Sequence, residues 1–202
     1  MNDSTPKDLW TPRSIDDTRA MYDAWASGYE ADIAAAGYAT PARVAAALAR
    51  YVGPTQPVLD FGCGTGLSGL ALKEAGFEDF EGSDLSADML AQARAKEIYK
   101  SLSLTPAGEL PTPLDRFKGI AAAGVISSGA APPETLSQLV GSCAPKTKIS
   151  FSFNSVTLES GLYMPVFDAL LASQKIALLE RETGPHLPAK GITSDVFVID
   201  IL

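Results

Sequence analysis

The chain has 202 residues, 46% hydrophobic and 20% charged, with 16 Lys plus Arg against 24 Asp plus Glu and a net charge of −8. These proportions suit one packed globular domain and exclude a disordered chain, a fibrous repeat or a small disulfide scaffold. An acidic chain without a run of Lys or Arg repels phosphate backbones, so long nucleic acid is not expected as a partner.

The opening MNDSTPKDLW has no basic stretch followed by an apolar one, so no secretory signal is expected, and the first dozen residues read as a loose polar leader. The longest apolar run, Gly119 to Ile126, falls far short of the ~20 residues that cross a bilayer. Cys63 and Cys143 lack metal-ligand spacing and are expected to be free thiols, which predicts a cytoplasmic protein without a metal site. Ser14 reads as a helix N-cap with Asp16 and Asp17 in the first turn, and Met21, Tyr22, Trp25 and Tyr29 follow at helical spacing. Thr40-Pro41 opens a second helix as cap and first-turn proline, with Val44, Leu48 and Tyr51 as its stripe and Gly53-Pro54 as its stop.

Strands then begin to alternate with helices. Val58 to Phe61 predicts a buried strand, with Leu67, Leu70 and Ala71 in the helix behind it. Glu78 to Asp84 predicts the second strand, and Ser86 caps a helix carrying Met89, Leu90 and Ala93. Ser101 to Leu104 is a weak third strand, Leu104 to Leu114 a loop, and Phe117 to Ala123 the fourth strand. Leu136, Leu139, Val140 and Cys143 mark an amphipathic helix opened by Pro132-Pro133. Ile149, Phe151 and Phe153 alternate as a fifth strand, and Val166, Phe167, Leu170 and Leu171 mark the next helix. Two last strands, Ile176 to Glu182 and Val196 to Ile201, flank a loop from Gly184 to Pro188. The alternation predicts an α/β fold: a doubly wound, mostly parallel seven-stranded sheet with an antiparallel last strand and two extra helices in front.

Ligands of such sheets bind at the carboxyl ends of the strands, where strand order reverses. The turn after the first strand is Asp60-Phe61-Gly62-Cys63-Gly64-Thr65-Gly66, and its glycines let the backbone approach a ligand closely. Two cofactors compete for it. Gly64 to Gly69 matches GxGxxG, and Asp84 follows Gly64 at a dinucleotide-site spacing, where an acid binds ribose hydroxyls. Asp60, placed at the mouth of the turn, would repel a pyrophosphate and suit a cationic amino-acid head instead. S-adenosylmethionine has that charge pattern: an ammonium, a sulfonium and two ribose hydroxyls.

VLDFGCGTG resembles the first motif of class I S-adenosylmethionine-dependent methyltransferases, and FEGSDLSADMLAQAR resembles their second. GIAAAGVISSGAAPPETL is similar to the fourth-strand region of small-molecule methyltransferases. With YDAWASGYE in front and ETGPHLP behind, the resemblance runs over roughly Tyr22 to Leu202 and is closest to the methyltransferase-like family named after the Williams–Beuren chromosome region. It implies a Rossmann-like methyltransferase fold, with 1–52 as leader and lid helices and 53–202 as the cofactor-binding core. It also implies that Asp60, Gly62, Cys63 and Gly64 line the methionyl part and that Asp84 takes the ribose hydroxyls. Leu85 and Met89 would then pack on the adenine, with Gly124 and Val125 passing beneath the sulfonium. Many relatives place an acid near the end of the third strand to meet the adenine amino group. Ser101 to Thr105 has none, so backbone or a hydroxyl must serve there.

The expected activity is methyl transfer to a small-molecule acceptor, chiefly by alignment of nucleophile, methyl and sulfur, with no catalytic residue identifiable. The stretch after the fourth strand, Gly124 to Gly129, lacks the Asn/Asp-Pro-Pro-aromatic motif of enzymes that methylate macromolecular amines. Ser127, Ser128 and Asn154 end strands on the binding side, where they serve either as substrate contacts or as caps of backbone groups. His186, the only histidine, reads as a surface loop residue or a base. Trp25, Tyr29 and Tyr38 belong to an aromatic-rich front region that packs on a core or, in the resembling family, lies over the cofactor, with Tyr29 the favoured contact. Two other readings stand beside this one. A protein that binds S-adenosylmethionine without turnover fits the missing base and adenine acid. An NAD-dependent oxidoreductase fits GxGxxG but lacks a Tyr-x-x-x-Lys pair, since Tyr163 is followed four residues on by Phe167.

Overall fold

The computed structural model describes residues 9–11, 13–106 and 108–202. Among these residues, seven strands form one sheet in the order β3-β2-β1-β4-β5-β7-β6. They are β1 (Val58–Phe61), β2 (Phe80–Asp84), β3 (Leu102–Leu104), β4 (Gly119–Ala122), β5 (Lys148–Asn154), β6 (Ile176–Leu187) and β7 (Ile192–Ile201). Strands β1 to β5 pair in parallel, and β7 runs antiparallel to both of its neighbours. The strand order reverses beside β1, between β2 and β4, which fixes where a ligand belongs.

The α-helices of the described residues are α1 (Ile15–Ala36), α2 (Thr40–Ala49), α3 (Leu67–Glu74), α4 (Ala87–Arg94), α5 (Glu134–Ser142), α6 (Ser155–Glu159) and α7 (Tyr163–Ala172). Ser14 caps α1 as expected, accepting from the Asp17 N–H at 3.1 Å, and Gly37 ends it at φ +73°. Alternation along the strands sorts the core into two layers. Leu59, Ile120, Ile149 and Phe151 face α5 and α7, whereas Val58, Ala121, Val196 and Val198 face α2 and α3. Phe151 and Phe197 stack at 5.1 Å and 6° in the first layer.

Four local expectations change. Thr40 is the first residue of α2, not its cap, because its hydroxyl is taken by His186 and Ser194 across the fold. The Gly184–Pro188 loop is shorter than expected, because β6 runs on to Leu187, paired with β7 from Ile192. Helix α6 has no counterpart in the sequence reading; Asn154 starts it by accepting the Thr157 N–H at 2.8 Å. Of the expected leader, residues 1–8 and 12 lie outside the described residues, but Leu9 is buried against Trp25, Ile33 and Leu187. Helix α2 packs into the sheet as part of the core, while α1 lies across the carboxyl ends of the strands beside α4.

Candidate active site

The turn after β1 is held open by backbone geometry that side chains resist. Gly62, Gly64 and Gly66 all have positive φ. A Cβ on Gly62 would lie 2.3 Å from a Val125 methyl, whereas one on Gly64 would meet nothing within 4 Å. The first glycine therefore lets the turn pack on the β4 loop, and the second leaves space. Asp84, at the end of β2, ties this turn to the next one. One carboxylate oxygen accepts the Gly64 N–H at 2.8 Å and the other the Ser86 N–H at 2.9 Å. Burial raises the Asp84 pKa despite these donors.

A cavity of about 250 Å³ opens over the turn, just below the roughly 300–1,000 Å³ common for small-molecule sites. Gly62, Gly64, Asp84, Leu85, Met89 and Tyr29 line it, as do Gly124 and Val125. Asp84 and Glu109 are its charged side chains; among its described lining residues there is no Lys, Arg or His. The hydroxyls of Thr18, Ser83 and Thr105 also border the cavity, buried and without a hydrogen-bond partner among the described residues. Buried hydroxyls are rarely left unmet, so each is a candidate contact for a polar ligand in the cavity. Thr105 directly follows β3, where the resembling family places an acid, and supplies a hydroxyl instead. Acids without cations, open hydroxyls and a space beside Gly64 fit S-adenosylmethionine and disfavour a dinucleotide diphosphate.

Two expected contacts sit elsewhere. Asp60 is fully buried beneath the turn, not at its mouth, because strand alternation points it to the α3 side with Val58. Ser68 and Tyr99 both donate to its Oδ2, at 2.7 and 2.6 Å, while Oδ1 has no partner among the described residues. Burial pushes its pKa up to about 6. Cys63 is also buried, its thiol pKa raised by desolvation, and is absent from the cavity lining. Charge discrimination at the site therefore falls to Asp84 and Glu109.

A second cavity of about 40 Å³, called inner for its place between α1 and the ends of β5 and β6, adjoins the first. With one water needing roughly 10–15 Å³ of such space, it holds only a few heavy atoms. Trp25, Tyr38, Ser127, Ser128, Asn154 and His186 all line it. Tyr22, Tyr29, Tyr38 and Gly124 form a wall shared by both cavities. His186 is buried, not on the surface: β6 carries it inward, and the Tyr38 ring meets it edge to face at 5.2 Å. Burial, with Arg43 adding a smaller effect, lowers its pKa to about 4, so the ring is neutral at pH 7. Burial raises the phenols of Tyr22, Tyr29 and Tyr38, which stay protonated. Trp25 donates its indole N–H to Asp32 at 2.8 Å.

Sequence reasoning passes over Thr18, Ser83 and Thr105, since a hydroxyl in a helix or strand carries no motif. Tyr22 is visible as part of the aromatic stripe, but spacing does not tell a cavity wall from a core face. Among the described residues no group of three His, Cys, Asp or Glu is arranged to hold a metal ion.

Residues 58–146 match the family model described as a methyltransferase domain. Methyltransferase-like protein 27 of Homo sapiens is 36% identical over 124 residues, 59% of this chain and 51% of that protein. The chain thus spans about half the length of this curated relative. Among solved structures, the [4+2]-cyclase SpnF aligns with TM-score 0.70 at 14% identity, covering 95% of this chain and 97% of that one. A TehB-like SAM-dependent methyltransferase from Corynebacterium glutamicum aligns with TM-score 0.63 at 19% identity, covering 91% and 99%. A SAM-dependent methyltransferase from Geobacter sulfurreducens, solved with S-adenosyl-L-homocysteine, aligns with TM-score 0.56 at 15% identity, covering 80% and 90%. At these identities the structural likenesses speak for the fold, and the cyclase shows that the fold also serves other chemistry. Residues 58–146 thus match a methyltransferase domain, and they sit in a seven-stranded fold that the chain shares with these SAM-dependent methyltransferases.

Proposed function

We propose that the protein transfers a methyl group from S-adenosylmethionine to a small, largely apolar acceptor, with α1 as the lid over both. The observation that carries this reading is the shared wall. The larger cavity suits the cofactor, and the smaller one suits the reacting end of a compact molecule, with Tyr22, Tyr29, Tyr38 and Gly124 between them. The net charge of −8 and the few-atom inner cavity both disfavour a polynucleotide. No helix among the described residues is long and apolar enough to cross a membrane.

When bound, S-adenosylmethionine supplies a methyl carried on a sulfonium that leaves readily. The chain's own part is placement. Asp84 would hold the ribose hydroxyls, Leu85 and Met89 the adenine faces, and the Thr105 hydroxyl the adenine edge. The backbone of Gly62 and Gly64 would follow the methionyl chain, with Asp60 acting from beneath the turn and Cys63 filling it. Tyr22, Tyr29 and Tyr38 present neutral rings, which attract a cation over their faces and exclude water. None of them is ionised at neutral pH, so the acceptor must arrive as a ready nucleophile or lose its proton to solvent.

Incubation with methyl-labelled S-adenosylmethionine and a fractionated cell extract tests this. Label is expected in the small-molecule fraction; label in the RNA or protein fraction would overturn the acceptor class. Among the described residues lining the inner cavity no base is poised near neutrality, which keeps a binding protein without turnover as the second reading. Tight cofactor binding with every fraction silent would favour it.

A further inference from the structure

The inner cavity contains two polar side chains whose orientation is fixed from behind. Arg43 is always a donor, and its Nη1 lies 2.9 Å from the Ser194 Oγ. Ser194 is buried, so its own hydroxyl proton needs an acceptor, and the Thr40 Oγ1 stands 3.1 Å away. Thr40 must then donate its proton to the His186 Nδ1, 2.7 Å away. Only this direction gives every proton in the chain an acceptor. It leaves His186 with Nδ1 as acceptor and the proton on Nε2, which has no partner among the described residues. Asn154 is fixed independently. Its Oδ1 is consumed as the cap of α6 by the Thr157 N–H at 2.8 Å, so its amide NH₂ is the free end. Ser127, by contrast, spends its proton on the Gly124 carbonyl at 3.2 Å.

We infer that His186 and Asn154 are a pair of neutral hydrogen-bond donors that select an acceptor molecule bearing a carbonyl, ether or similar electron-rich oxygen, and that His186 is a positioning residue, not a base. This rests on the reading of the inner cavity as the methyl-acceptor site. The low pKa of His186 agrees, since the ring stays neutral with the guanidinium of Arg43 nearby. The cavity has no charged lining residue among those described, so a neutral molecule is favoured over a carboxylate.

The chain's single histidine makes the test direct. Nitrogen-resolved NMR of the cofactor-free protein at pH 7 is expected to show a neutral imidazole protonated at Nε2. In Thr40→Val this preference is lost. Acetone and isobutene, a ketone and its oxygen-free shape match small enough for the cavity, are then titrated into the protein with and without S-adenosylhomocysteine. The ketone is expected to shift the His186 and Asn154 side-chain N–H signals and to bind at least tenfold more tightly than the hydrocarbon. Asn154→Asp, which can still cap α6 but offers no donor, is expected to erase most of that margin. An Nδ1-protonated or charged imidazole overturns the proposal. So does a ketone that moves neither signal or is matched by the hydrocarbon. Cofactor binding is read separately, so the tautomer and the ketone preference can stand or fall even where the methyltransferase reading fails.

Discussion

The two cavities under α1 share a wall but recognise by different physics. The outer one has two acids, no described cation and three unmet hydroxyls, so it selects by charge and by hydroxyl pairing. The inner one has no described charged side chain; its polar groups are neutral and held from behind by Thr40 and by the α6 cap. A cation is drawn to the first and gains nothing from the second. On the proposed reading that asymmetry seats the charged methyl carrier and the neutral acceptor apart, with tyrosine rings at the boundary instead of solvent.

The largest expected effect breaks the floor of the outer cavity, which Gly62 and Val125 both line. In Gly62→Ala the new methyl meets Val125 at a positive φ, and overpacking plus left-handed strain should cost about 2–5 kcal/mol in denaturant unfolding. Gly64→Ala has open space around it, so its stability cost is only the strain of about 1–2 kcal/mol, and its main effect is weaker cofactor binding. Asp84→Ala removes a charge and the acceptor of two backbone N–H groups. Calorimetry should show S-adenosylmethionine affinity lowered about a hundredfold, with the His186 resonance unmoved.

Asp60→Asn separates stability from recognition. The buried Asp60 carboxyl has a folded pKa of about 6, above its ordinary 3.8, so its ionisation opposes folding as pH rises through that interval. The substitution should stabilise by roughly 2–3 kcal/mol at pH 8 and by nothing below pH 4. His186 has the opposite sign: its folded pKa of about 4 lies below 6.5, so its contribution is lost as pH falls between those values. The two trends oppose each other in the parent chain, and Asp60→Asn should uncover the acid-side loss in thermal melts. The smallest effect concerns α1, the proposed lid. Lys96, just past the end of α4, holds Glu30 of α1 at 2.5 Å, with Glu30 partly exposed. Lys96→Ala should cost less than about 1 kcal/mol and show mainly as faster hydrogen exchange in α1.

The outer cavity is legible in the sequence because its parts are local. Three glycines, a following helix and an acid ending the next strand are close together in the chain, and each states a backbone requirement. The inner cavity draws on α1, the β4 loop, the end of β5 and the end of β6, so only fold-level placement brings Ser127, Asn154 and His186 together. What escapes is orientation. Whether Asp60 faces the ligand or α3 depends on strand parity, and whether His186 is exposed depends on how far β6 extends. Thr40 illustrates the same gap: Thr-Pro reads as a cap in one dimension and serves as a tertiary hydrogen-bond donor in three.

Paired calorimetric titrations with S-adenosylmethionine and with NAD⁺ test the charge argument most directly. A cavity whose described charges are Asp84 and Glu109 should bind the sulfonium in the micromolar range and leave the dinucleotide without measurable heat. Binding of NAD⁺ at equal or greater strength would contradict it.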